Sequence, residues 1–278
     1  MPTYNHGVAN EDINGVSIYL EEYGSGDPLV LVHGSWTDHM EWPFVVPGLA
    51  QRFRVVVYDR RGHSQSERLP TQGSVHEDVA DLAAIIERAG APAHVLGNSM
   101  GASISLRLAA ERPELVRTLS VHEPPLFDFL RDDPKTKPIA EETNSRILPV
   151  INDLAAGNRD DGARRFIEMV LGPGAWDNFI PDEAKRTLLN NAPTFLDETR
   201  DPETLKIDTQ ALARFERPVL LTGGSESPPF FAPVLDKLAA VLPNATRKTL
   251  AGDGHLPHIT HPQEYVALIT EFIDSASS

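Results

Sequence analysis

The stretch Val95-Leu96-Gly97-Asn98-Ser99-Met100-Gly101-Ala102 sets a serine between two glycines in the pattern G-x-S-x-G. An apolar run at 93–96 precedes it and an amphipathic run at 102–111 follows, so it reads strand, sharp turn, helix. Such a turn cramps the backbone at Ser99, which only small neighbours permit, and Gly97 and Gly101 supply them. Ser99 then stands at a helix N-terminus, where unpaired N–H groups and the helix dipole favour negative charge. A serine so placed is a candidate nucleophile. The pentapeptide by itself also fits a glycine-bounded turn with a serine cap, so the surrounding elements carry the decision.

Those elements are legible on both sides. Residues 14–23 alternate apolar and polar around Val16, Ile18 and Leu20, as an edge hairpin strand does. Leu29-Val30-Leu31-Val32 and Val55-Val56-Val57-Tyr58 are continuous runs of the kind buried on both faces of a parallel sheet. The first ends in His33-Gly34-Ser35-Trp36, the second in Asp59-Arg60-Arg61-Gly62-His63-Ser64-Gln65-Ser66. Helical spacing marks 75–89, with Gly90 as its stop. A strand at 115–121 ends in His122-Glu123-Pro124-Pro125. Strand and helix alternate, which implies a mostly parallel sheet whose ligands bind beyond the C-terminal strand ends. His33, Asp59, Ser99 and Glu123 all fall there.

From about 127 to 215 the alternation stops. The segment shows helical periodicity without a buried strand, and Pro173-Gly174, Pro181 and Pro193 read as punctuation. Its place at the strand ends marks it as a helical cap. Strand character returns at 218–222, followed by the turn Gly223-Gly224-Ser225-Glu226-Ser227. A helix, a last strand at 246–250, the turn Ala251-Gly252-Asp253-Gly254-His255 and a closing helix complete the chain.

Composition narrows the classes. The 278 residues are 41% hydrophobic with a formal net charge of −15, which gives no basic footprint for nucleic acid. There is no cysteine, so disulfides, thiolate catalysis and cysteine-bound metals are excluded. No secretory pattern opens the sequence and no apolar run has the length of a membrane span. The expectation is a cytoplasmic protein with no nucleic-acid or membrane partner.

His33-Gly34 after the third strand, Asp59-x-Arg61-Gly62-x-x-x-Ser66, Gly97-x-Ser99-x-Gly101 and Gly254-His255 after the last strand together resemble the α/β-hydrolase fold family over nearly the whole chain. The resemblance implies a core of 1–124 and 216–278 with a helical cap, 125–215, inserted between strands six and seven. It implies Ser99 as nucleophile and His255 as base, chosen among ten histidines for its glycine-flanked loop. The order serine, acid, histidine is then met. His258 and His261, close by, are expected to be structural, as is His33. Asp59 and Arg61 are expected to knit the loop after the fourth strand.

The acid departs from the family pattern, which places an aspartate after strand seven; Ser227 stands about there. Two carboxylates remain, Glu123 after strand six and Glu226. Some members, including lactone hydrolases acting on zearalenone-like macrolides, resemble this chain in placing a glutamate after strand six. Glu123 is preferred because Pro124 fixes the backbone beyond it and a charge ending a buried strand needs a partner. The family logic also gives oxyanion donors from the N–H groups of Met100 and Ser35. Trp36 is expected on the pocket wall, with a packing role as the alternative.

The reading is a cofactor-independent, metal-independent serine hydrolase acting on a small-molecule ester or lactone. An apolar substrate is inferred from Phe127, Leu130, Phe166, Met169, Phe179 and Phe195. The alternatives are carbon–carbon bond hydrolysis of a vinylogous diketone, perhydrolysis on the same triad, and a small-molecule sensor on a hydrolase scaffold. Oligomeric state is not specified by the sequence.

Overall fold

The computed structural model describes residues 6–131 and 133–276. Leu29, Val30, Leu31 and Val32 expose nothing to solvent, as a strand covered by helices on both faces requires. Around them eight strands form one sheet: β1 (His6–Ile13), β2 (Val16–Gly24), β3 (Pro28–Val32), β4 (Arg54–Tyr58), β5 (Ala93–Asn98), β6 (Val116–His122), β7 (Val219–Gly224) and β8 (Ala245–Leu250). Their order is β1-β2-β4-β3-β5-β6-β7-β8. The pairs β1–β2 and β2–β4 are antiparallel and all others are parallel.

Residues 14–23 were expected at the sheet edge; β1 occupies that edge and β2 lies inside it. The two strands are joined by Asn14-Gly15, both at positive φ (52° and 79°). That geometry matches the twist of a two-residue hairpin, and asparagine and glycine tolerate it.

The helices are α1 (Val46–Leu49), α2 (Val75–Ala89), α3 (Met100–Glu111), α4 (Lys137–Ala155), α5 (Arg159–Leu171), α6 (Ala175–Asn178), α7 (Asp182–Arg200), α8 (Thr209–Leu212), α9 (Phe231–Val241), α10 (Pro257–Thr260) and α11 (Pro262–Ala276). Local chemistry fixes their ends. In α2, Ser74 Oγ accepts from the Glu77 N–H while Glu77 returns a bond to the Ser74 N–H, a reciprocal cap. Gly90 at φ 101° stops the same helix. One apolar cluster joins α2, α3 and α9 to the sheet; another joins α1 and α11 to its opposite face.

Helices α4 to α8 lie between β6 and β7 in the chain; α4 to α7 have a cluster of their own, including Val150, Leu154, Ile167, Trp176, Leu188 and Phe195, while Leu212 of α8 joins the main core. Helix α7 runs unbroken through Pro193, where the proline predicts a break. Burial of Leu188, Ala192 and Phe195 on one face offsets the ~3 kcal/mol that an interior proline costs. Among the described residues no helix is long and apolar enough to cross a membrane.

Candidate active site

Ser99 sits between β5 and α3 at φ 53°, ψ −120°, a backbone region that side chains rarely enter. The two glycines of the pentapeptide are what make the turn possible. A Cβ on Gly97 would lie 2.5 Å from the Gly101 oxygen, and one on Gly101 would lie 2.0 Å from the Val32 oxygen. The Ser99 N–H donates to the His122 carbonyl at 2.9 Å, which fastens the turn to the end of β6. Ser99 is half-buried. Met100 opens α3, and its N–H is among the first-turn donors that have no intrahelical acceptor.

Glu123 is the residue after β6. It takes φ 48°, and its N–H reaches the Thr222 carbonyl of β7 at 3.2 Å. One carboxylate oxygen, Oε1, accepts from the Gly224 N–H at 2.8 Å; the other, Oε2, lies 2.7 Å from His255 Nδ1. A carboxylate accepts, so Nδ1 carries the proton and Nε2 keeps its lone pair. Glu123 is 1% exposed and His255 is 7% exposed. Burial alone would push the Glu123 carboxyl up; the His255 hydrogen bond and the charge of nearby histidines outweigh it and hold the carboxyl below its usual value. Ser227 lies beside the same carboxylate and favours its ionised form. The Gly223-Gly224 turn leaves room for Glu123, since a Cβ on Gly223 would come within 3.2 Å of Oε1.

The His255 ring stacks on Phe231 at 4.7 Å and 10°, which restricts its rotation. His122 donates through Nε2 to the Gly254 carbonyl at 3.3 Å, tying the loop of His255 to β6. Glu226 is exposed, and its carboxylate accepts from the Ser225 hydroxyl at 3.0 Å. The structure therefore brings Glu123 to His255, and Glu226 does not share that contact.

The loop after β3 faces Ser99: a Cβ on Gly34 would lie 3.2 Å from the Ser99 Cβ. His33 Nε2 accepts from the Arg60 N–H at 2.9 Å, so its Nδ1 is protonated and donates to the Gly34 carbonyl at 2.8 Å. Burial lowers the His33 pKa well below its ordinary value, in keeping with a neutral ring. The Gly34 N–H donates to Glu41 Oε2 at 3.0 Å. Among the described residues the Ser35 N–H has no partner, while the Ser35 hydroxyl donates to Glu198 at 2.6 Å. Trp36, expected on the pocket wall, is fully buried, stacks on Phe166 at 5.2 Å and packs at a tilt on Phe195 at 4.9 Å. It builds the core of the insertion. Phe127 packs on Phe230 at 5.2 Å, Leu130 is buried, and Phe179 is exposed. An apolar substrate surface does not follow from that set of aromatics.

The other expected positions lie around this centre. Asp59 accepts from the His39 and Gln65 N–H groups at 2.8 and 2.9 Å, and Arg61 makes two bonds to Asp81, each at 2.7 Å. His258 is wholly buried against Trp42 at 4.7 Å, and His261 bonds to Asp253 at 2.5 Å. Two groups bring histidine and carboxylate ligand atoms within 4.8 Å of one another: His122–Glu123–His255 and Asp38–His39–Asp59. In each, a histidine Nδ1 is spent on a carboxylate.

Sequence reasoning missed Arg60, Asn191, Glu198 and Phe231. A signal existed for two of them. Asn191, Phe195 and Glu198 recur at i, i+4 and i+7, which puts two polar groups on the same helical face as a buried aromatic.

A model of the alpha/beta hydrolase family matches residues 29–268. The pimeloyl-[acyl-carrier protein] methyl ester esterase of Aeromonas hydrophila is 26% identical over 277 residues, covering 93% of this chain and 100% of the relative. The 2-(acetamidomethylene)succinate hydrolase of Mesorhizobium japonicum is 26% identical over 278 residues, covering 95% and 94%. The crystal structure of an alpha/beta hydrolase from Sphaerobacter thermophilus is similar with a TM-score of 0.73 at 28% identity, covering 96% of this chain and 99% of that one.

Proposed function

Because the chain belongs to the alpha/beta hydrolase family, we propose that it hydrolyses a small-molecule carboxylic ester or lactone through an acyl-enzyme on Ser99. The observation that carries this reading is the 2.7 Å contact between His255 Nδ1 and Glu123. It leaves Nε2 as a base at the same edge of the sheet as a half-buried serine held in the strained turn.

Ser99 Oγ attacks the acyl carbon as its proton passes to His255 Nε2. Glu123 keeps the imidazole in the required tautomer and stabilises the imidazolium that forms. The carbonyl oxygen gains charge and is met by the N–H groups of Ser35 and Met100, each donor worth ~3 kcal/mol in the transition state. The C–O bond to the leaving group breaks, the alkoxide takes the proton from His255, and the acyl group stays on Ser99. Water, activated by the same Nε2, then releases the acid and restores the serine. The helices between β6 and β7 cover this edge as a cap over the bound substrate. Relatives named as an esterase and as a hydrolase support the reaction class.

A serine-directed fluorophosphonate tests the reading. The expected result is one adduct, mapped to Ser99 and abolished in Ser99→Ala, with turnover of simple esters or lactones. Folded protein that takes no label and turns over no ester would overturn it.

A further inference from the structure

A trans peptide is planar, with its C=O and N–H pointing in opposite directions. Whatever holds the Gly34 oxygen therefore decides where the Ser35 N–H points. That oxygen accepts from His33 Nδ1 at 2.8 Å and from Arg60 Nη1 at 3.2 Å. Arg60 is 2% exposed and is clamped on its far side by Asp78 of α2 and Glu198 of α7, each at 2.9 Å. Glu198 spends its second oxygen on the Ser35 hydroxyl at 2.6 Å. Two turns earlier on α7, Asn191 Nδ2 donates to the Trp36 and Thr37 carbonyls at 3.0 and 2.9 Å. Helix α7 thus grips three consecutive residues of the loop.

We propose that Glu198 and Arg60 are positioning residues for the oxyanion hole, through which helix α7 of the insertion holds the Ser35 N–H toward the reacting carbonyl. The proposal rests on the acyl-enzyme reading above. Simple attachment of the insertion to the core needs only apolar contact, and Trp36 already provides that by packing into the insertion's cluster. Burying an arginine with two carboxylates has a desolvation cost that apolar contact avoids. Here the charges converge on one peptide, leaving its N–H as the group without a partner among the described residues. The Arg60 charge on the Gly34 oxygen also polarises that peptide and strengthens the N–H as a donor.

The test compares wild type with Ser35→Ala, Ser35→Thr and Glu198→Gln, each checked for an unchanged melting profile. Two rates are read: phosphonylation of Ser99 by a fluorophosphonate, and kcat and KM on p-nitrophenyl butyrate. Ser35→Ala keeps the backbone N–H and removes only its tether; Glu198→Gln keeps the tether and weakens the grip on Arg60. Both should lower kcat and the phosphonylation rate roughly 10- to 100-fold with KM within about twofold, because an oxyanion donor acts on the transition state. Ser35→Thr, which retains the hydroxyl, should recover most of the loss. Should Glu198→Gln fail to fold, Ser35→Ala with its threonine rescue decides the matter. Wild-type rates in Ser35→Ala, or a loss carried by KM alone, would overturn the positioning role while leaving the reaction intact. A wild type that takes no label at Ser99 would overturn the reaction and the positioning role together.

Discussion

His255 with Glu123 and His39 with Asp59 make nearly the same contact, Nδ1 against a buried carboxylate at 2.7 and 2.6 Å. What surrounds them differs. Asp59 also accepts from the His39 and Gln65 N–H groups, His39 Nε2 lies 3.8 Å from Glu21, and Tyr19 packs on the ring at 4.9 Å. Both nitrogens of His39 therefore face carboxylates. His255 has one such face; among the described residues its Nε2 meets no partner. Burial opposes the charge on His39, but the hydrogen bond and charge of Asp59 outweigh it and raise its pKa. One pair is a saturated ion pair that ties the loop after β3 to the end of β4. The other leaves one ring nitrogen open, as the proposed base requires. A histidine and a carboxylate cannot act as a catalytic pair unless the far nitrogen is free to take a proton.

The sharpest way to break this contrast is to remove the oriented pair. Glu123→Gln should lower kcat by roughly 10³–10⁴-fold, since an amide can hold the imidazole in the wrong tautomer. His255→Ala should cost about as much, because residues that act as a unit are not additive. His39→Gln, by contrast, should leave kcat/KM within about threefold and lower stability by roughly 1–3 kcal/mol, the usual cost of disturbing a buried polar contact. Steady-state kinetics and denaturant titration on the three variants separate the outcomes. A catalytic loss in His39→Gln as deep as in His255→Ala would erase the distinction.

Much of this site was legible because its residues end elements that declare themselves. Ser99 follows an apolar run and sits between glycines, Glu123 ends a strand ahead of two prolines, and His255 follows a glycine turn. Each depends on local backbone, which local sequence reports. The preference for Glu123 over Glu226 is legible at Pro124; the 2.7 Å contact with His255 is not, because β6, β7 and the turn after β8 meet only in three dimensions. Arg60, Asn191 and Glu198 left a weaker trace. The bonds that join them across the insertion span more than a hundred residues of chain, and a buried charge looks like a surface charge until its compensating group is found. Trp36 misled for a related reason: a loop aromatic at the strand ends fits a pocket wall and an anchor for the insertion equally well.

The two clusters should also answer pH with opposite signs. His39 has a raised pKa in the folded state. Its ion pair stabilises fully below the unfolded-state value and fades as pH rises through the folded one. His122, in the other cluster, is pushed down to about 4 by burial. The unfolded chain then binds the proton that the folded one refuses, so this group destabilises progressively as pH falls from the usual histidine range toward 4. Melting temperatures from pH 4.5 to 8.5 check both. The deficit of His39→Gln against wild type should widen as pH falls. That of His122→Gln should narrow, with a relative slope of at most ~1.4 kcal/mol per pH unit. Parallel profiles for the two variants would remove the electrostatic half of the comparison.

The smallest effect is expected at Glu226. Its side chain is exposed, its carboxylate accepts from Ser225, and its N–H donates to the Asp253 carbonyl at 2.8 Å. The backbone bond survives substitution, and an exposed charge is screened by solvent and salt. Glu226→Gln should therefore change kcat/KM by less than about twofold and leave the melting temperature nearly where it was. The experiment is worth doing because of what the other result would mean. A hundredfold fall in kcat would move the orienting role to the turn after β7. The bond between Glu123 and His255 would then be structural like the bond between Asp59 and His39, and the open nitrogen would no longer set the two pairs apart.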